Sequence, residues 1–436
     1  MNYLLTWQDA SLENHVDLLT GFPFKSQQFT EEPSDIPLVK GANVHQAYID
    51  WKEAKRWSAS EFSQYKKFQL QSGDVVVAMD RPWIEAGLKY AWIRPNDPKS
   101  LLVQRVARLR GTNGLLTVYL RYLIGSPAFT DYIKPIVTGV TVPHISADQI
   151  KGFKFLLPPL PIQRKIAGIL SAYDDLIENN TRRIEILEEM ARSIYREWFV
   201  KFRFPGHEQV QMVDSELGLI PEGWEAISLG QLLDIKHGYA FKGEYFSKEP
   251  TSDILLTPGN FKFGGGFKDD KFKYYDGSIP NEFVLNPGDL LVTMTDLSKE
   301  GDTLGYPAFV PPSKELRFLH NQRLGKISLH NPQLGLNHLY HIFCSDSYRH
   351  HVLASATGST VKHTAPDRIK SFSIALPSPE ICNRFEMITS SLSRKIILLN
   401  QKNTNLRQTR DLLLPRLISG KIDVENLDIN IDQIAA

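Results

Sequence analysis

The chain repeats itself, and this restricts its fold more than any other feature. Residues 138–151 read TGVTVPHISADQIK and residues 357–370 read TGSTVKHTAPDRIK, with eight identities in 14 positions. Ordinary residue frequencies give about one. GFPFKSQQF at 21–29 returns as GYAFKGEYF at 238–246, and LQSGDVVVAM at 70–79 as LNPGDLLVTM at 285–294. Gln104-Arg105 answers Gln322-Arg323, and Trp7 and Leu12 answer Trp224 and Leu229, with the offset always between 215 and 219. The order is therefore globular unit, helix, globular unit, helix. Such a duplication is either without functional meaning or belongs to a protein that faces something with two ends. The copies diverge between the shared motifs, as in 51–65 against 264–278, so the two ends are expected to differ.

The segments after each copy have a coiled-coil spacing. Pro158, Pro159 and Pro161 set a helix start, where a missing N–H costs nothing. Apolar positions then alternate by four and three: Ile162, Ile166, Ile169, Tyr173, Leu176, polar Asn180, Arg183 or Ile184, Leu187, Met190, Ile194. The second helix starts at Pro379, with the seam Phe385, Ile388, Leu392, Ile396, Leu399, Asn403, Leu406, Arg410, Leu413, Leu417. It is expected to kink at Pro415 and stop at Gly420. The asparagine in each seam is either a buried register pin or simply exposed. The expected fold class is α/β: two tandem globular domains joined by two long antiparallel coiled-coil helices, with a pseudo-twofold internal repeat. The boundaries are 1–158 for the first domain, 159–203 for the first helix, and 204–224 for a linker. The second domain is 225–377, its helix 378–421, and an acidic tail 422–436. Two inverted units on a rigid spacer suit a DNA duplex with two separated half-sites.

Composition excludes several alternatives. Two cysteines, Cys344 and Cys382, rule out a disulfide scaffold and fit a reducing cytoplasm. The N-terminal segment lacks the basic and apolar regions of a signal peptide, and no apolar run is long enough to span a membrane. Lys and Arg total 50 against 49 Asp and Glu, so any DNA contact must come from local clustering of cations. No methyltransferase Asn/Asp-Pro-Pro-aromatic motif and no GxxxxGK[ST] phosphate loop occurs. Glu53-Ala54-Lys55 is a formal nuclease ExK, better read as a solvated face. His338, His341 and Cys344 are better read as half-buried helix residues than as metal ligands. No catalytic or metal-binding residue is assigned.

Three runs resemble one family. LPPLPIQRKIAGILSAYDDLIENNTRRIEILEEMARSIYREWFVKFRFPG at 157–206 is similar to the central conserved region of type I restriction-modification specificity subunits. GLIPEGWEAISLG at 218–230 resembles their entry to the second target-recognition domain, and LRQTRDLLLPRLISGKI at 406–422 their C-terminal conserved region. The resemblance spans essentially the whole chain. It departs at Cys382, where members usually carry the glutamine that Gln163 keeps in the first copy. It implies two target-recognition domains, each reading half of an asymmetric bipartite DNA target, and helices that measure the gap. It also implies two modification (methyltransferase) subunits and restriction subunits as partners. S-adenosylmethionine, ATP and Mg are then expected on those partners, and no cofactor on this chain. The rival readings are a free-standing restriction endonuclease and an assembly scaffold without DNA recognition.

The DNA-facing candidates fall in two sets. The shared stretches Thr138, Gly139, Thr141, His144 and Thr357, Gly358, Ser359, Thr360, His363 offer hydroxyls and imidazoles to phosphate oxygens, or else form a structural junction. Shared Lys25 and Lys242 lie in aromatic-flanked loops. The shared Gln-Arg pairs suit backbone contact or folding better than sequence choice. Base selection is expected where the copies differ. In the first copy these positions are Arg81, Lys89 and Arg94 among Trp83, Tyr90 and Trp92. In the second they are Lys268 and Lys271 in the glycine-rich segment, and the loop 295–303.

Overall fold

A computed structural model describes residues 7–52, 54–84, 87–137, 143–269, 271–298, 300–330 and 333–429. The chain divides into two compact units, Met1–Asn179 with Lys402–Ala436, and Asn180–Gln401. Both divisions fall inside the long helices, so each unit contains part of each helix.

The first unit is built on a four-stranded antiparallel sheet. Its order is Val16–Thr20, Val106–Gly111, Val75–Ala78, Tyr90–Trp92. The run Val75 to Ala78 is buried throughout, because both faces of this sheet are covered. Val75 and Val77 face one core with Leu109, Tyr119 and Leu120, whereas Val76 and Ala78 face another with Val39 and Val106. The alternation follows from the two-residue period of a strand. A two-stranded ladder, Gln8–Ser11 against Lys154–Leu157, then delivers the chain into the first long helix, Leu160–Tyr195.

The second unit has the corresponding strands in the same order: Leu233–His237, Leu324–Leu329, Leu290–Thr293, Pro307–Phe309. Its entry ladder pairs Glu225–Ser228 with Ser373–Leu376 and leads to the second long helix, Pro379–Ile418. A further mixed sheet differs between units. It has three strands in the first and five in the second, so the copies keep a common frame and vary beside it.

Within the first unit the two helices meet in opposite directions. Arg410 Nη1 lies 2.7 Å from Asp174 Oδ1, and Asn403 Nδ2 donates to the Ile177 carbonyl at 3.4 Å. Within the second unit Tyr195 meets Phe385 with ring centroids 6.2 Å apart, and Arg183 and Leu187 line a groove with Lys395 and Leu399. Asn180 and Asn403 are both buried. In the second helix Ile388, Leu392, Leu399, Leu406 and Leu413 all lie on the buried or half-buried side. In the first, Ile166 is fully buried and Ile169, Tyr173, Leu187 and Ile194 are half-buried, but Leu176 is 53% exposed. Asp174 takes the buried place instead, because Arg410 and the Tyr122 hydroxyl, 2.7 Å away, satisfy its carboxylate. An apolar criterion passes over such a residue.

Four further details lie at the ends of these elements. The first helix becomes π-helical at Arg196–Val200 and ends before Phe202, whose φ is +57°. Residues 204–224 are packed: Met212–Ser215 and Gly218–Pro221 form a hairpin, and Phe204, Ile220 and Trp224 bury against Ile381. Within the tail, Val424 is fully buried in the first unit's core. The second helix continues through Pro415 to Ile418. Among the described residues no helix is long and apolar enough to cross a membrane.

Candidate nucleic-acid interface

The shared motifs converge on one corner of each sheet. Gly21 and Gly238 lie so close to a neighbouring turn that a Cβ would overlap the backbone of Val103 or of Asn321. That turn carries Gln104-Arg105 in the first unit and Gln322-Arg323 in the second. Met79 N donates to the Arg105 carbonyl at 2.8 Å, and Met294 N to the Arg323 carbonyl at 2.9 Å. The glycine, the Gln-Arg turn and the end of the central strand are thus one packed assembly, present twice.

The histidines shared by the two copies arrive at the same corner. In the first unit His144 Nδ1 is 2.8 Å from Asp80 Oδ1, and Asp80 also holds an ion pair with Arg105. Partial burial works against ionisation of Asp80, but the bonds from Arg105 and His144 hold its carboxyl below the usual carboxylate range. Arg105 and Arg81 both have left-handed backbones, with φ of +67° and +44°, which is uncommon outside glycine. In the second unit Thr295 stands where Asp80 does, pairing as a strand residue with His363, its Oγ1 3.2 Å from Nδ1. Asp80 and Thr295 follow directly on the shared motif and differ between copies. The matched segments end at Met79 and Met294, one residue short of them.

The remaining second-copy residues form an exposed loop. Thr357 N donates to the His363 carbonyl and His363 N to the Thr357 carbonyl, at 3.0 and 2.8 Å. Gly358 (φ +95°) turns the chain where a Cβ would collide with the Val361 carbonyl, and Ser359 and Thr360 are exposed. Arg368 donates to Thr357 Oγ1 at 3.3 Å. Thr138, Gly139 and Thr141 lie outside the described residues, as does Glu53. Lys25 and Lys242 are exposed and each opens a 3₁₀ turn, Lys242 within 3.8 Å of Glu244.

The basic-aromatic stretch of the first unit is corrected in part. Arg81 is exposed. Lys89 is only 8% exposed, and its ammonium donates to the Gly41 carbonyl. Burial, with Arg81 nearby, pulls its pKa down. Arg94 pairs with Glu178 of the first long helix at 2.9 Å and lies over Trp92. Tyr90 and Trp92 are core residues. The strand alternation that buries Tyr90 and Trp92, and the helix beside them, turn Lys89 and Arg94 to structural work. Lys268 and Lys271 are exposed, and Asn260 Nδ2 donates to the carbonyls of both, at 3.3 and 2.8 Å.

The substitution at Cys382 has a visible compensation. Gln163 is fully buried. Its Nε2 donates to the carbonyls of Gly114 and Pro158 at 2.7 and 2.8 Å, and its Oε1 accepts from Leu116 N at 2.9 Å. In the second unit the glutamine is on the opposite side, at Gln333, the counterpart of Gly114. It donates to the Pro377 carbonyl, the counterpart of Pro158, at 2.8 Å. Both helix starts therefore keep a side-chain amide on the same carbonyl. His338 and His341 pack against Tyr195 and Phe385 rather than facing a ligand. No group of metal-ligating side chains occurs among the described residues.

Comparison with known proteins agrees with this frame. Residues 6–189 match the type I restriction modification DNA specificity domain. The type I restriction enzyme MjaIX specificity subunit of Methanocaldococcus jannaschii is 28% identical over 329 residues, covering 72% of this chain and 71% of that protein. The EcoAI specificity subunit of Escherichia coli is 33% identical over 177 residues, 39% of this chain and 28% of its own. A crystal structure of a type I restriction-modification S subunit from M. genitalium has a similar fold, with a TM-score of 0.54 at 16% identity. The match covers 94% of this chain and 96% of that one.

Proposed function

We propose, from the match of residues 6–189 to the type I restriction modification DNA specificity domain and from the specificity subunits to which the chain is similar, that it is the DNA-reading subunit of a type I restriction-modification complex. It reads a bipartite, asymmetric target, one half with each unit, and docks two modification subunits and the restriction subunits. The chemistry resides on those partners. They bind S-adenosylmethionine for adenine methylation, and ATP and Mg for translocation and cleavage, while this chain binds none of them.

The observation that carries this reading is the shared frame with unlike surroundings. Two units with the same strand order bring a His-bearing motif and a Gln-Arg turn to the same corner. The segments beside that corner differ in length and strand number. Phosphate contacts position a protein on DNA without choosing sequence, whereas base contacts choose. A repeated frame suits the first task and divergent loops the second. Among the candidates, Arg81, His144, Lys25, Lys242, Lys268, Lys271, His363 and the loop 357–360 remain exposed or half-exposed and are the ones assigned to DNA.

Mapping adenine methylation in cells that express this chain with its modification subunit tests the reading. A split, non-palindromic motif that vanishes when this chain is withheld is expected. A stable complex that methylates no new motif would leave only a scaffold.

A further inference from the structure

The shared Gln-Arg turn has different electrostatic surroundings in its two copies. In the first unit Arg105 pairs with Asp80, and the same carboxylate holds His144. In the second unit Thr295 replaces that acid, and it holds His363 through a neutral hydroxyl. Arg323 is exposed, and no side-chain ion pair reaches it among the described residues. Asp296 follows next in sequence but does not serve as its partner. It is 5% exposed, and its oxygens accept from Ser298 N, Thr303 N and Thr303 Oγ1 within its own loop.

We infer that Arg323 binds a DNA phosphate from the second unit, whereas its counterpart Arg105 is neutralised by Asp80 and acts as a positioning residue that fixes His144. The inference rests on the DNA-reading function proposed above and adds that the two units hold the duplex backbone by unequal means. A cation that replaces counterions on DNA releases them, and affinity then falls with salt. A neutral Arg–carboxylate pair brings no net charge to the phosphate and adds little to that dependence. Arg105 is exposed although Asp80 is half-buried, and a pair with one exposed member contributes little to stability, so its consequence lies in the field offered to DNA.

The test is the salt dependence of duplex binding by the full chain, measured by fluorescence anisotropy between about 50 and 200 mM NaCl, the range over which phosphate contacts weaken steeply. Arg323→Gln is expected to reduce the slope of log affinity against log salt by about 0.9. Asp80→Thr, which copies the second unit's residue into the first, is expected to steepen it by a similar amount by freeing Arg105. Thr295→Asp, the reverse exchange, is expected to flatten it as Arg323→Gln does. Thermal melting confirms that each variant folds; Arg323 is exposed, whereas Asp80 is half-buried and Thr295 is buried. An unchanged slope in both Arg323→Gln and Asp80→Thr, or a flatter one in Asp80→Thr, would overturn the inference while leaving DNA recognition intact. A wild-type chain that binds no duplex even at low salt would overturn the functional reading itself.

Discussion

Gly21 and Gly238 occupy the same cramped place in the two units, where the backbone of the Gln-Arg turn leaves no space for a methyl group. Overpacking of this kind costs about 1–3 kcal/mol. Gly21→Ala should therefore lower the melting temperature, and should disturb Arg105 and Asp80 before distant parts of the unit. A melting curve equal to wild type would show that the turn can yield. Asp174 is a second decisive residue. Its carboxylate faces Arg410 and Tyr122 in a half-buried seam, and Arg410 is held in its charged form despite burial, chiefly by Asp174. Asp174→Ala leaves that guanidinium without its buried counter-charge, a loss of about 3 kcal/mol by the usual cost of breaking such pairs. Chemical denaturation should register it, and the double variant Asp174→Leu with Arg410→Leu should recover most of the loss.

At the scale of elements, the helix Leu336–Phe343 presents His338 and His341 to Tyr195 and Phe385, with Phe199 4.1 Å from His338. Burial holds both imidazoles neutral. It lowers the pKa of His338 to about 3, with help from His341, and that of His341 to about 4, with help from Arg192. Both then take up a proton on unfolding below the ordinary histidine value near 6.5. Their contribution is complete above that value and is lost as pH falls from about 6.5 towards 4. Stability of the second unit should fall steeply between pH 6.5 and 4.5, and His338→Leu should make that fall shallower. Equal pH profiles for wild type and His338→Leu would refute it. The long helices are also decided at this scale. Their seams alternate by four and three in the sequence, and the second is oriented as that spacing predicts. The first differs at Leu176 because a satisfied polar residue, Asp174, takes the buried position.

For the whole molecule, the proposed role makes the helices a ruler between half-sites. Four residues inserted in one helix add about 6 Å, nearly two base pairs at about 3.4 Å each. The methylated motif should then keep both half-sites and gain a longer gap. Changed half-sites with an unchanged gap would reject the ruler. Exchanging one globular unit for that of a relative should change half of the motif only, whereas a pure scaffold would show no change.

The sequence alone determined the duplication, the motifs shared by the two copies, and the helical character of both long segments. These features are periodic or repeated, and local backbone geometry and hydrophobic burial follow period directly. It did not determine which polar side chains would be buried or paired. Lys89, Arg94 and Asp174 look alike as charges in a string, yet one bonds a carbonyl, one meets a helix and one occupies the seam. The exchange of Gln163 for Gln333 on equivalent carbonyls spans sequence-distant loops, and the contrast between Asp80 and Thr295 gains meaning only beside His144 and His363. Such contacts depend on which segments approach within hydrogen-bond distance, about 3 Å, and only the tertiary fold sets that approach.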